Sequence, residues 1–304
     1  MPPTRAELER IQRLRELFLD EERGERALGD YWRSDDDLAA YDAVLAQRIG
    51  WKWDAVLAEC RERGWAPDAD AVVLDHGCGS GIAARRFAAA FGARTVHCHD
   101  RSPRAMAFAA RSIPGGVACP HPATVRPDVL LVSHVLGELD PRGEADLRTL
   151  IAQSRSVILV EPGSRAVARR LSALRDDLRA EFRLIAPCPH AAACPVLAAP
   201  GDGDWCHFFA PPPPEVFTDG EWVRTARAVG IDLRALPYAF VAAARATAPP
   251  PTTPPPPKPP ERRLGRPTIT PHTATLHSCT ADGLRTTTIH KRTDPAAWRA
   301  LKRG

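Results

Sequence analysis

The sequence predicts an α/β fold: a parallel sheet covered by helices on both faces, with an N-terminal helical preface and a C-terminal Cys-rich loop plus β-hairpin. Three observations predict it. Continuous apolar runs alternate with helical patterns between residues 71 and 161, as in sheets whose strands are buried on both faces. A glycine-rich turn, Gly77-Cys78-Gly79-Ser80-Gly81, joins the first such run to the first helix of the alternation. From residue 186 the texture breaks into Pro- and Cys-rich stretches, which read as loops.

The elements follow in order. Thr4-x-x-Glu7 reads as a capping box before Leu8, Ile11, Leu14 and Phe18 at helical spacing. Ser34-x-x-Asp37 caps a second helix with Leu38, Tyr41, Leu45 and Ile49 inward. Trp51 to Arg63 is a third helix, stopped by Gly64. Residues 1–66 thus form a helical segment. The domain after it spans 67–248. There, 71–75, 94–99, 129–133 and 156–161 read as strands, and 82–91 and 103–111 as helices. Residues 186–210 are the Cys-rich loop, 221–229 a helix and 238–245 a strand. Residues 249–260 form a polyproline linker, stiff and exposed. Beyond it, 261–304 is a basic unit in which 273–279 and 284–291 flank Ala281-Asp282-Gly283 as a hairpin, closed by a short basic helix over 295–303.

The chain has 304 residues, 44% hydrophobic and 26% charged, which excludes wholesale disorder. Its 31 prolines are about twice the usual share. The net charge is +4, but its distribution says more. Residues 1–70 carry 11 basic against 17 acidic residues, and residues 258–304 carry ten basic against three acidic. An acidic front and a basic tail fit a tail that faces a polyanion, or one that is simply solvated. No stretch reaches the ~20 apolar residues that span a bilayer. The N-terminus has no apolar signal core. A cytoplasmic location with eight reduced cysteines is therefore expected, and clustered Cys there reads as metal binding or catalysis before disulfides.

The first strand ends in Asp75-His76-Gly77-Cys78-Gly79-Ser80-Gly81, an Asp-x-Gly-x-Gly-x-Gly run that leads into a helix. Glycines at alternate positions let the backbone turn tightly and approach a ligand. The spacing is not the Gly-x-Gly-x-x-Gly of NAD-binding folds. It resembles motif I of class I S-adenosylmethionine-dependent methyltransferases, which implies that the loop passes under the amino-acid part of the cofactor and that Asp75 helps position it. Asp100 ends the next strand, where a carboxylate suits a ribose diol. Ser133 ends the third, on the edge of the sheet that faces substrate.

No catalytic residue is assigned. Ser133-His134-Val135-Leu136-Gly137-Glu138-Leu139 lacks the Asn/Asp-Pro-Pro-Tyr/Phe run of base-amino methylation, and no Cys stands where cytosine-C5 enzymes keep a nucleophile. His134 can act as a base, its pKa lying near neutrality, or be a wall residue. Glu161-Pro162-Gly163-Ser164 is equally ambiguous.

Cys188, Cys194 and Cys206 fall within nineteen residues, and Cys279 ends the first hairpin strand. Four such thiols can close on one ion or cluster, or be scattered core thiols. Their C-x5-C-x11-C spacing is not that of a zinc ribbon. His190 and His207 are backup ligands, read by default as neighbours. Neither the loop nor the hairpin shows an apolar reason to dock, so a metal here would act as the staple.

These features together resemble the methyltransferase-like proteins associated with the mitochondrial small ribosomal subunit, which have bacterial relatives. The matching segments are Leu74–Gly81, Ser133–Leu139, Glu161-Pro162-Gly163, Ala186-Pro187-Cys188-Pro189-His190, Cys194-Pro195, Asp204-Trp205-Cys206-His207-Phe208 and Cys279-Thr280-Ala281-Asp282-Gly283, over about residues 30–300. The Cys-Pro-His with Trp-Cys-His-Phe pairing is the specific part. The polyproline insertion before the basic hairpin departs from the family's pattern. The resemblance implies a Rossmann-like class I methyltransferase sheet and bound S-adenosylmethionine, with Asp75, Gly77, Gly79, Gly81, Asp100 and Ser133 at the cofactor. It implies a [4Fe–4S] cluster on Cys188, Cys194, Cys206 and Cys279, with zinc as runner-up. It further implies a partner in the small ribosomal subunit or its rRNA, in assembly or rRNA methylation, and no membrane. The alternative is a small-molecule methyltransferase for which the N-terminal helices form a lid.

Overall fold

The computed structural model describes residues 3–19, 30–199, 205–246 and 261–303. The polyproline linker expected over 249–260 lies outside the described residues.

Three helical stretches precede the sheet: α1 (Arg5–Leu19), α2 (Asp35–Tyr41) and α3 (Gln47–Glu62). Thr4 and Glu7 form the expected box: the Thr4 amide donates to Glu7 Oε2 at 2.6 Å and the Glu7 amide to Thr4 Oγ1 at 3.3 Å. Ser34 caps α2 as expected. The second and third helices are not separate, however. A π-helical turn over Asp42–Ala46 joins them into one run, and Gly50 sits inside it. A Cβ on Gly50 would meet Arg86 Nε at 2.7 Å, so the glycine admits a crossing side chain rather than ending the helix. Phe18, Tyr31, Trp32 and Tyr41 form an aromatic cluster that packs these helices on Ala105.

The alternation then unfolds as β1 (Val72–His76), α4 (Ile82–Phe91), β2 (Thr95–His99), α5 (Pro103–Ser112), β3 (Gly116–Ala118), β4 (Val129–Ser133), α6 (Pro141–Gln153), β5 (Ser156–Pro162), α7 (Arg165–Leu178) and β6 (Phe182–Ala186). After the short α8 (Pro195–Ala198), β7 (Phe208–Phe209) and α9 (Glu215–Thr218) come α10 (Gly220–Ala228) and β8 (Pro237–Arg245). The sheet order is β3-β2-β1-β4-β5-β8-β6, with β7 on β8. From β3 to β5 the strands are parallel. The expected all-parallel sheet is corrected at one place: β8 inserts antiparallel between β5 and β6. The order reverses between β1 and β4, and the carboxyl edge at such a switch point is where open α/β sheets bind ligands. One core lies under α3, α4 and α5, the other under α6 and α7. Helices α6 and α7 were not named from the sequence, although Asp140 caps α6 with proline at its first position, a readable start signal.

The C-terminal unit is larger than a hairpin. Strands β9 (Glu261–Ile269), β10 (Thr273–Thr280) and β11 (Gly283–His290) form a three-stranded antiparallel sheet, followed by α11 (Pro295–Arg303). Pro267 hides β9 in the sequence, because proline removes a ladder donor and demotes a strand reading.

Candidate functional site

The loop after β1 is built by its glycines. Gly77, Gly79 and Gly81 have φ of +74°, +50° and +81°, the left-handed region that favours glycine. They differ in what surrounds them. A Cβ on Gly77 would stand 2.4 Å from Val135 Cγ2, and one on Gly81 3.0 Å from Ile113 Cδ1, so both permit close packing. A Cβ on Gly79 would meet nothing within 4 Å: its open side faces free space. The His99 carbonyl accepts the Gly77 and Cys78 amides at 2.8 and 2.9 Å, which ties the loop to β2.

Two carboxylates bracket the loop in sequence, Asp75 at the end of β1 and Asp100 just after β2. Asp100 accepts the Gly79 amide at 2.9 Å on one oxygen and the Ser102 amide at 2.9 Å on the other. Asp75 is fully buried, and neither of its oxygens completes a hydrogen bond. Burial pushes its carboxyl up to about 7; the approach of the Ala84 amide pulls the other way and the Asp100 charge adds to the rise. An unpartnered buried carboxyl is costly, and at the start of the glycine loop it suits the cationic end of a ligand. The Ser80 hydroxyl is also buried without a partner.

At the β4 end, Ser133 Oγ accepts the indole N–H of Trp53 at 2.9 Å, which docks α3 on the sheet. Next to it His134 takes a φ of +57°. Glu161, at the β5 end, accepts the Val135 and Leu136 amides at 3.1 and 3.3 Å. Its other oxygen is buried and unpartnered, and burial pushes the carboxyl up to about 8. Lys52 of α3 lies 3.4 Å from His134 Nε2. Lys52 belongs to no motif in the sequence. Its one signal was a lysine on the apolar face of a helix, between Trp51 and Trp53.

Three of the four expected thiols share one cavity, and Cys279 lies within reach of the charges of Cys188 and Cys194. Cys188, Cys194 and Cys206 line one small cavity with Arg175. Burial raises the Cys206 thiol, and the charges of Cys188, Cys194 and Cys279 raise it further. Burial likewise pushes Cys279 up to about 12. His190 Nε2 lies 3.4 Å from Cys279 Sγ. Among the described residues, no group of three or more His, Cys, Asp or Glu side chains is arranged to hold a metal ion. Cys60, Cys78, Cys98 and Cys119 are buried elsewhere, and none of the eight cysteines is joined in a disulfide.

Arg175 organises this loop, a role that no spacing or motif signals. Its side chain is 2% exposed. Its Nε donates to Cys188 Sγ at 3.1 Å, Nη1 to the Ala192 carbonyl at 2.7 Å and Nη2 to the His190 carbonyl at 3.0 Å. Asp176 completes the frame by pairing with Arg175 at 2.5 Å and accepting the Cys194 amide at 3.0 Å.

The C-terminal unit docks by means the sequence reading denied it. Arg262 makes a bidentate pair with Glu59 at 2.7 and 2.9 Å and lies 4.3 Å over Phe208. Leu264 is buried beside them. The Gly265 amide donates to the His207 carbonyl at 2.9 Å. Trp205, stacked on His207, donates to the Gly163 carbonyl at 2.9 Å, so the thiol loop also touches the end of β5. Arg263, Lys291, Arg292, Arg299 and Lys302 remain on the exposed surface.

Residues 72–303 match the family described as Mitochondrial small ribosomal subunit Rsm22. No curated protein matches the chain. Among solved structures, the chain is similar to the magnesium protoporphyrin IX methyltransferase of Synechocystis PCC 6803 with bound SAM, at 16% identity and a TM-score of 0.39, over 78% of this chain and 97% of that one. It is similar to the plantazolicin methyltransferase BpumL in complex with a pentazolic analogue and SAH, at 12% identity and a TM-score of 0.44, over 77% and 98%. A Thermoplasma acidophilum protein matches at 16% identity and a TM-score of 0.37, over 59% and 81%. Among the described residues, no helix is long and apolar enough to cross a membrane.

Proposed function

The chain belongs to the mitochondrial small ribosomal subunit Rsm22 family, and from that premise we propose that it is an S-adenosylmethionine-binding, iron–sulfur factor of the bacterial small ribosomal subunit that methylates rRNA during assembly in the cytoplasm. The observation that supports the cofactor reading is the open side of Gly79, whose amide is held by Asp100, on a loop that starts at the buried Asp75. Gly77, Gly79 and Gly81 shape the cradle. Asp75 meets the cationic amino-acid end and Asp100 the ribose hydroxyls. Ser133 holds α3 across the substrate edge through Trp53.

Cys188, Cys194, Cys206 and Cys279 hold the metal centre in this reading. Burial, with the charge of the neighbouring thiols, raises Cys206 and Cys279, and a cationic centre would let such thiols ionise. Held by these residues, a [4Fe–4S] cluster would supply that charge; zinc is the other outcome. The basic face left by Arg263, Lys291, Arg292, Arg299 and Lys302 meets the phosphates.

Labelled S-adenosylmethionine, offered with assembling small subunits, naked rRNA and small-molecule acceptors, tests the reading. Label in one rRNA nucleotide is the expected result. Bound rRNA without label would make the protein an assembly factor that does not transfer. Label in small molecules without rRNA binding would favour the alternative, in which the N-terminal helices are a lid over a small substrate.

A further inference from the structure

Lys52 is a buried amine with no acid to match it. It is 8% exposed, and its hydrogen-bond partner is His134 Nε2 at 3.4 Å. Among the described residues it makes no ion pair. The groups that face it come from three elements. Arg48, one turn earlier on α3, adds positive charge and itself donates to the Asp232 and Ala235 carbonyls. His134 follows β4. Glu161, from β5, favours the ammonium, but its own carboxyl keeps its proton at neutral pH because burial raises it.

A buried ammonium without a counter-charge costs several kcal/mol, so such an amine gives up its proton instead. Burial and Arg48 push Lys52 down to about 7, and burial with Lys52 and Arg48 holds His134 well below the usual imidazole range. Anchoring does not explain the residue, because its neighbour Trp53 already ties α3 to β4. Position does. His134 sits just beyond β4, at the carboxyl edge beside the switch point. Its left-handed backbone is held by Glu161 through the Val135 and Leu136 amides, and backbone strain of this kind concentrates at functional sites. Val135 in the same turn packs on Gly77 of the cofactor loop.

We propose that Lys52 and His134 form the proton acceptor of the methyl-transfer site, serving a substrate whose attacking atom is an amino nitrogen or hydroxyl oxygen that carries a hydrogen. The proposal rests on the methyltransferase reading above. The attacking lone pair forms the new bond to the methyl carbon. The carbon–sulfur bond breaks, and its electron pair stays on sulfur, which leaves as a neutral thioether. The surplus proton on the attacking atom passes to the neutral Lys52 amine, directly or through His134, and makes an ammonium that bulk water later neutralises. A carbon nucleophile, or a heteroatom with no hydrogen, would have no need of the pair.

The chain holds only four lysines, at 52, 258, 291 and 302, so lysine labelled at the side-chain amine gives a four-line NMR spectrum that Lys52→Met assigns. We expect the Lys52 line to titrate near 7, far below the ordinary lysine value of about 10.4. Lys52→Met and Lys52→Arg should bind S-adenosylmethionine as tightly as the natural chain and transfer methyl at least about 100-fold more slowly, the scale of a lost general base. Arginine cannot rescue, because its guanidinium keeps its proton. His134→Gln should slow transfer but leave the acid limb of the pH–rate profile near 7, where Lys52 sets it. A Lys52 line that titrates with the other three, or a Lys52→Arg protein at full rate, overturns the proposal and leaves the methyltransferase reading standing. A natural chain that binds cofactor and rRNA but labels no acceptor removes that reading, and the proposal with it.

Discussion

The glycine loop and the thiol loop leave the same edge of the same sheet, yet they are held in opposite ways. The first follows β1. The second follows β6, which runs parallel to β1 four strands along the sheet, about 19 Å away at ordinary strand spacing. The glycine loop is shaped by its own backbone: three left-handed glycines and amides bonded to the adjacent β2. The thiol loop has no such local code. Its carbonyls and one thiol are gathered by Arg175, which reaches in from α7. A ligand that needs a fixed cradle gets one from local chain geometry, while a centre that joins distant segments is organised by a distant side chain.

The largest effects should come from breaking the thiol side. A Cys→Ser change at Cys188, Cys194, Cys206 or Cys279 should remove the bound iron and the broad visible absorption near roughly 400 nm of thiolate-bound iron–sulfur centres, measured on anaerobically purified protein. Cys60→Ser and Cys119→Ser should leave both intact. The C-terminal sheet should stay docked in the four variants, because Arg262, Leu264 and Gly265 hold it without metal. Limited proteolysis checks this. Release of 261–303 would show that the metal alone holds the unit.

Arg175→Met comes next. It removes the Arg175 bonds to Cys188, His190 and Ala192 and leaves Asp176 with Arg179 at 3.3 Å, a loss of about 3 kcal/mol by analogy with broken buried pairs. Denaturant unfolding should show it, together with cleavage between 188 and 199 in metal-free protein. Unchanged stability would mean that the thiol loop carries its own code after all.

This contrast explains what the sequence revealed. The glycine loop and Asp100 were legible because spacing alone dictates them. The four cysteines were legible as a candidate ligand set, but nothing in C-x5-C-x11-C names Arg175. Lys52 was missed for the same reason, as its partner His134 lies 82 residues away. Strand β9 was hidden by Pro267, and the continuous α2–α3 run by a glycine that admits Arg86.

A smaller, tunable effect belongs to the glycine side. Asp75, protonated near neutrality in the empty site, must ionise to meet a cationic ligand. Its folded pKa of about 7 lies above the ordinary ~3.9. S-adenosylmethionine affinity should therefore fall as pH falls through 7, about tenfold from pH 8 to pH 6. With the signs followed through, the empty protein loses stability as pH rises from about 4 to 7, where only the unfolded chain ionises. Asp75→Asn should abolish both dependences, which calorimetry and thermal unfolding across that range would report.

The smallest effect separates docking from RNA contact. Arg262→Ala should cost about 1–2 kcal/mol of stability with no change in the salt dependence of rRNA binding. Arg263→Glu with Lys291→Glu should leave stability within about 0.5 kcal/mol and flatten the slope of log affinity against log salt by roughly 0.7–0.9 for each lost contact. The reverse pattern would place the RNA elsewhere.

The cofactor reading is central to the account, and calorimetric titration of the purified protein with S-adenosylmethionine tests it most directly. One saturable site should appear in the natural chain and in Cys188→Ser. It should vanish in Gly79→Val, whose side chain would fill the open side of the loop, and weaken strongly in Asp75→Ala, with all four proteins folded. Undiminished affinity in both glycine-loop variants would contradict the account.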